Sequence, residues 1–444
     1  MALTSELDAP LVRVEPPSHS AIDSSFPVLP LALWFGLVAA TALWGAALTA
    51  MGAKIRLNAA PLFGRLDLHL SPLLLLPAAV AAAAIAWGGR LAATLGWRNL
   101  LLAASAASAL WGVTLASADG WHALVAPLLD RHDYLAVLPD IGSPASFLSD
   151  FTRSLPAFPL HVQGHPPGFV LLLSALRTLG IAVAPIAAAL TIAVGASTAA
   201  AVLITVRVVA GEQRARACAP FLCFAPAAIW VVTSADGFYM GVAAWAIALL
   251  ALAVERNGSV SDALALAAGV TLGAALYMSY GVAALGGVIV TITALRPRIR
   301  PLVLAGLGVA TVAGMFFIFG FWWFDGLVAT TGRYALGVSG SRPYEYFFFS
   351  NLGALALALG PAIAIGLARL RDRRLWAIVG AACLAVTVAN LTGLSKGEVE
   401  RIWLPYIPWL LIASAAIPLA FRRSALTMQV AAALVLQAVV VTPW

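Results

Sequence analysis

The chain has 444 residues, 62% of them hydrophobic and only 10% charged, with a mean hydropathy of +0.96. Soluble domains carry about 25% charged residues, so this composition excludes a soluble enzyme with one anchor and describes an integral membrane protein. The net charge of +7 would suggest an acidic partner in a soluble protein. In a membrane protein it reads as topological signal, and nucleic acid is not expected as a partner.

Residues 1–29 precede the first apolar run. Glu6, Asp8, Glu15 and Asp23 stand there against Arg13 alone. The stretch lacks the basic start of a signal peptide and reads as a short disordered cytoplasmic tail. Residues 30–444 then read as a single transmembrane domain. At about 20 residues per crossing, apolar runs lie near 31–52, 72–89, 99–118, 184–206, 217–234, 237–254, 262–278, 280–295, 301–322, 347–368, 375–391, 403–420 and 425–442. The expected fold is an all-α polytopic membrane protein of about thirteen transmembrane helices with long extracytoplasmic loops. The apolar stretch 168–181 is short and contains Arg177, which suits an interfacial helix. Cys218, Cys223 and Cys383 all fall within apolar segments and read as small core residues, not as a disulfide framework.

With the tail inside, the cytoplasmic loops are short and basic: Arg90 and Arg98; Arg207, Arg214 and Arg216; Arg256; Arg296, Arg298 and Arg300; Arg369, Arg371, Arg373 and Arg374; Arg422 and Arg423. They hold more than half of the 26 Lys and Arg, as the positive-inside rule demands. Counting 168–181 as a crossing would invert every later loop. The opposite face collects Asp67, Asp119, Asp130, Asp133, Asp140, Asp150, Asp236, Asp325, Glu345, Glu398 and Glu400, with every histidine except His19. Polar residues avoid lipid in any membrane protein, but this partition places the candidate chemistry on the extracytoplasmic side.

Three outer segments carry that chemistry. The longest loop, from Asp119 to about Pro167, contains DRHDYLAVLPDI (130–141) and HVQGHPPG (161–168). Carboxylates near a bilayer surface serve as general bases or metal ligands when partial burial moves their pKa. His161 and His165 stand four apart, but Pro166 and Pro167 argue against one helix across both, and a structural zinc wants four ligands. The GHPPG turn launches the short helix, since proline is tolerated at a first helical position. Asp236, in TSADGF, begins a span, where it either caps that helix or helps to hold a phosphate at its positive end. The loop 321–347 is aromatic; Trp322, Trp323, Tyr344 and Tyr346 fit an interfacial belt, while Arg333 and Arg342 could grip a phosphate. Lys396, Glu398, Glu400 and Arg401 crowd one helix mouth as either a solvated charge run or a functional cluster.

In order, these motifs resemble those of the GT-C superfamily of glycosyltransferases, in the branch of protein O-mannosyltransferases and lipid A aminoarabinose transferase. HDYL (132–135) is similar to an acidic DE-x-Y loop, with Asp133 in the acidic place and Tyr134 where a second acid would stand. HPPGFVLLLSALRTLG (165–180) is similar to an HPPL-type motif opening a short helix, with Gly168 replacing the leucine. Asp236 resembles the later acid that begins a span, and ERIWLPYIPWL (400–410) the basic-aromatic-proline run. The likeness covers roughly 99–420; residues 31–89 read as two added spans and 425–442 as a terminal span.

The resemblance implies transfer of a sugar from a polyprenyl-phosphate donor to an envelope glycan, lipid or protein in a bacterial plasma membrane, with inversion or retention undetermined. Asp133 would deprotonate or orient the acceptor, and Asp67 and Asp140 are the reserve acids. Lys396, Arg401, Arg333 and Arg342 would bind the departing phosphate. His165, Tyr134, Glu398 and Glu400 would orient substrate. Asp236 would place a donor hydroxyl or, with Asp133, a divalent cation such as Mg or Mn. The competing class is a secondary transporter or lipid-linked-sugar flippase, which usually places charged groups near mid-membrane; the spans here are almost free of charge.

Overall fold

A backbone crossing lipid must satisfy its own hydrogen bonds, and with apolar runs of this length the helix is the solution available. The structure, a computed structural model, describes residues 26–444; of the tail expected over residues 1–29, residues 1–25 lie outside them, while Val28 and Leu29 already belong to the first helix, Val28–Ala50. It is an all-α, multi-pass membrane protein. Among the described residues, nine helices are long and apolar enough to span a bilayer: Val28–Ala50, Pro72–Thr94, Trp97–Asp119, Val183–Ala210, Ala235–Glu255, Gly258–Leu276, Ile299–Ile318, Arg373–Leu391 and Leu419–Val439.

The other four expected spans differ from continuous helices, each for a visible reason. The run 217–234 divides into Glu212–Cys223 and Ala228–Val231 around Pro226. The run 280–295 becomes a tight turn, Tyr280–Leu285, followed by Gly286–Leu295. The run 347–368 becomes Tyr344–Leu359 and Ala362–Arg369, bent by 98° around Gly360 and Pro361. The run 403–420 yields a shorter apolar helix, Leu404–Ala416, carrying Pro405 and Pro408. Helix length and composition thus give nine spans, or ten if the bent pair is one. The stretch 168–181 forms the short helix Gly168–Thr178.

Broken helices release backbone groups, and buried polar groups must find partners. Gly360 adopts φ +79°, and a Cβ there would lie 2.4 Å from Gln429 Oε1. Gln429, fully buried, supplies the missing partners: its Nε2 donates to the Leu359 carbonyl (2.6 Å), and its Oε1 accepts from the Ala362 amide (3.2 Å). The two breaks also brace each other, since the Ala227 amide donates to the Ala358 carbonyl at 2.9 Å. Trp111 Nε1 donates to the Ala225 carbonyl (3.2 Å) beside them.

Every basic loop gathers at one end of the bundle. Arg216 donates to the carbonyls of Ala92 (2.8 Å) and Leu95 (2.9 Å), Arg296 to Val208 (2.9 Å), and Arg298 to Arg256. Arg214 pairs with Asp372 at 3.4 Å and Arg300 with Asp262 at 2.6 Å. The acidic and histidine-bearing segments gather at the other end. There β1 (Arg65–Leu66) pairs antiparallel with β2 (Val440–Val441), and Asp119 meets both His69 (2.8 Å) and Gln437 (3.0 Å).

Candidate active site

Asp133 follows a tight turn at the end of the loop 119–132 and caps the short helix Tyr134–Asp140, its Oδ1 accepting from the Tyr134 amide at 2.6 Å. Its Oδ2 is thereby left to face His161 Nδ1, 2.8 Å away. His161 sits on the single helical turn Leu160–Gln163, which Pro159 opens and Gly164 closes. The same turn is tied to Trp323–Leu336, a helix inside the outer segment expected to be a loop, where Thr330 donates to the Gln163 carbonyl (3.1 Å) and Arg333 Nε to Gln163 Oε1 (2.8 Å).

Asp236 stands in the first turn of Ala235–Glu255, only 2% exposed. Its Oδ2 accepts from Arg401 Nη1 at 2.6 Å, and its Oδ1 lies 3.6 Å from His165 Nε2. Arg401 Nη2 donates to Glu398 Oε2 (3.1 Å) and faces His161 Nε2 (3.3 Å). A guanidinium can only donate, so His161 Nε2 carries a lone pair toward Arg401, and the ring proton lies on Nδ1, donated to Asp133. His165 Nδ1 lies 2.8 Å from the Tyr134 hydroxyl. Residues 133–134, 161–165, 236 and 398–401 therefore meet in one buried network of alternating acids, imidazoles and guanidinium.

Asn351, itself buried, fixes the 395–401 segment. Asn351 donates to the Ser395 carbonyl (2.6 Å) and to Asn390 Oδ1 (2.9 Å), and its Oδ1 accepts from the Gly397 amide (3.1 Å). Glu398 adopts φ +63°, a left-handed conformation that costs a side-chain-bearing residue about 1–3 kcal/mol. That geometry turns its carboxylate to Arg401 on one side and Arg342 on the other, the latter at 4.0 Å. From above, the Trp444 ring covers the Arg401 guanidinium at 4.5 Å and stacks on Phe63 at 5.0 Å.

Electrostatics sort the groups outside the spans. Burial would lower the Arg401 pKa, but Asp236 and Glu398 outweigh it and hold the guanidinium charged. Burial, aided by the Asp236 and Asp133 charges, pushes the Tyr134 phenol well above its ordinary value, so it stays neutral. Burial, with Glu398 adding, raises the Glu400 carboxyl to about 8. Glu400 is fully buried; its Oε1 accepts from the Phe63 amide at 3.2 Å, and its Oε2 has no partner among the described residues.

No protein-family model, curated protein or solved structure matches the chain.

Of the residues singled out from sequence, Asp133, Tyr134, His165, Asp236, Glu398 and Arg401 come together. Glu400 lies under Phe63. Lys396 and Arg342 are engaged with each other: Lys396 Nζ donates to the Arg342 carbonyl (3.1 Å), and Arg342 Nη1 donates to the Lys396 carbonyl. Arg342 is buried against Phe63 and Phe347. Arg333 holds Gln163. The reserve acids stand elsewhere: Asp67 is exposed and paired with Arg65 (3.1 Å), and Asp140 is exposed at the end of its short helix. The carboxylates suggested for a divalent cation, Asp133 and Asp236, direct their oxygens to protein donors. Among the described residues no group of three or more His, Cys, Asp or Glu is arranged to hold a metal. Sequence reasoning passed over His161 as a site residue, because HVQGH was weighed only for zinc; its position four residues before His165 was the available signal.

Proposed function

We propose that the protein is a membrane glycosyltransferase that moves a sugar from a polyprenyl-phosphate donor to an envelope glycan, lipid or protein. One observation carries the reading: four segments distant in sequence, the same ones that carry the GT-C resemblance, converge on a single network of acids, imidazoles and a guanidinium. The arginine-rich end faces the cytoplasm by the positive-inside rule, the chain crosses about thirteen times, and the network faces outward in a bacterial plasma membrane.

In this reading the acceptor oxygen attacks the anomeric carbon, the bond from that carbon to the phosphate oxygen breaks, and polyprenyl phosphate leaves. Arg401 offers its guanidinium to the departing phosphate, the kind of pre-placed charge that stabilises a transition state. As its Nη2 turns to that phosphate, His161 Nε2 is freed to take the acceptor's proton, and Asp133 holds the ring and stabilises its positive form. Asp236 keeps Arg401 charged and in place, while His165 and the neutral Tyr134 phenol orient sugar hydroxyls. Arg342 and Lys396 shape the loop that presents Arg401. No step is routed through a metal.

The test is direct: purified protein, a panel of polyprenyl-phosphate sugars, and detection of released polyprenyl phosphate. Release dependent on both donor and acceptor supports the reading; none with any donor removes it. The second reading is a transporter or lipid-linked-sugar flippase, for which the fully buried Glu400 with its unpartnered oxygen, raised to about 8, would take up a proton at the mouth of the bundle. Proton-driven uptake into vesicles without any polyprenyl-phosphate product would decide for it.

A further inference from the structure

The end of the bundle opposite the network carries two adjoining cavities. The first is an apolar groove of about 430 Å³ between the Pro72–Thr94 helix, the helix Trp97–Ala116 and the Glu212–Cys223 helix. Its walls are made of small residues, among them Ala83, Gly88, Ala103 and Ala107, and exposed Trp87 and Leu91 form its rim. A π-helical turn at Ala84–Gly88 interrupts the first of these helices there, and such turns recur at functional sites.

The second cavity, also about 430 Å³, is polar and is lined by Gly89, Ala93, Glu212, Gln213, Arg216 and Arg422, with Ala217 between. Consecutive positions of one helix line both spaces: Gly88 the groove and Gly89 the pocket, Ala92 the groove and Ala93 the pocket. Both volumes lie in the range of ligand sites, about 300–1,000 Å³.

The charges of the pocket do not cancel. Glu212 is taken by Arg216 (2.6 Å) and Arg207 (3.0 Å). Arg216 spends its remaining donors on the carbonyls of Ala92 and Leu95. Arg422 donates its Nε to the Ile417 carbonyl (3.0 Å) and has no carboxylate partner among the described residues. Its neighbour Arg423 is exposed, as is Arg90, which follows Gly89 in the chain. An uncompensated arginine at a membrane boundary, adjoining an apolar groove, complements the shape and charge of one class of ligand.

We propose that these two cavities form a binding site for one anionic phospholipid, its phosphate held at Arg422 and one acyl chain lying in the groove beneath. Basic pockets between transmembrane helices select anionic headgroups by this means. The site lies apart from the Asp133–Arg401 network, and the proposal is independent of the reaction assigned there.

The test uses the full chain purified in detergent. Dioleoyl phosphatidylglycerol and dioleoyl phosphatidylcholine are titrated separately and binding is counted by native mass spectrometry, with inorganic phosphate as a competitor. The wild type should retain one phosphatidylglycerol per chain under conditions that strip phosphatidylcholine. Arg422→Gln should weaken that binding by about five-fold, the usual contribution of one basic residue near a membrane surface. Ala107→Phe, which fills the groove and leaves every charge in place, should weaken it as well, whereas Arg153→Gln at the other end should not. Equal retention of the two lipids, unchanged binding in both site variants, an equal loss in Arg153→Gln, or full displacement by phosphate alone would each overturn the assignment. Thermal unfolding of each variant separates a folding defect from lost binding, and because one change acts on the charge and the other on the groove, either variant that folds decides the test.

Discussion

Arg401 holds its place through three neighbours at once, Asp236, Glu398 and the lone pair of His161. Removing its charge outright would leave Asp236 buried and unpaired, a defect costing about 3–5 kcal/mol, so truncation would confuse folding with function. Arg401→Lys keeps the charge and loses the fork that reaches Asp236 and Glu398 together; it should fold and lose transfer activity, measured as released polyprenyl phosphate. His161→Asn and Asp133→Asn should each lower the same rate by about 10²-fold or more, the usual contribution of a proton-transfer group. Full activity in either variant would remove that residue from the mechanism.

Glu400 makes a separate prediction in pH. Burial, with Glu398 adding, raises its carboxyl to about 8, whereas an unfolded chain releases a glutamic acid proton near about 4.3. The folded state therefore holds the extra proton between those values, and stability falls as pH rises through that window. Thermal unfolding should show that decline between about pH 5 and pH 8, and Glu400→Gln, which cannot ionise, should flatten it. An unchanged slope in the variant would mean that the carboxyl is not the group responsible.

At the scale of elements, the apolar runs announce where the chain enters lipid but not whether it stays helical there. Composition places 347–368 in the membrane, yet Gly360–Pro361 bends it by 98°, and only the distant Gln429 makes that bend tolerable. Nothing in the residues around 360 names Gln429 as the partner, because the pairing arises from packing across 67 and 70 positions. Gln429→Leu leaves the Leu359 carbonyl and the Ala362 amide without partners, at about 1–3 kcal/mol for each. Its thermal midpoint in detergent should drop clearly, while Gln437→Leu, which frees only the partly exposed Asp119, should drop less. The short helix after GHPPG was legible for the opposite reason: its prolines, its length and Arg177 all act locally.

For the whole molecule, the division into a basic end and an acidic end was the most legible property and the site the least. Arginine placement alone separates two ends, and the folded chain does gather the basic loops at one of them through contacts such as Arg296 to Val208 and Arg214 to Asp372. Single cysteines at Arg423 and at Asp140 should therefore react with a membrane-impermeant thiol reagent from opposite faces of sealed vesicles; labelling from one face would refute the arrangement. The site was legible as a set of motifs, since Asp133, His165, Asp236 and Arg401 each stand in a recognisable run. Their links were not, because the member joining two of them, His161, has no distinctive sequence context beyond its spacing. The roles given to Lys396 and Arg342 changed for the same reason, as each turns to the other's main chain.

The amide of Ala227 and the carbonyl of Ala358 form a main-chain rung between two interrupted helices. A rung of that kind, sealed from water, ties strands of the chain far apart in sequence into one stiff girdle at the waist of the molecule. Loops at either mouth can then breathe without loosening the middle, so deuterium should reach Ala227 long after it has saturated the amides around Asp140 and Arg423.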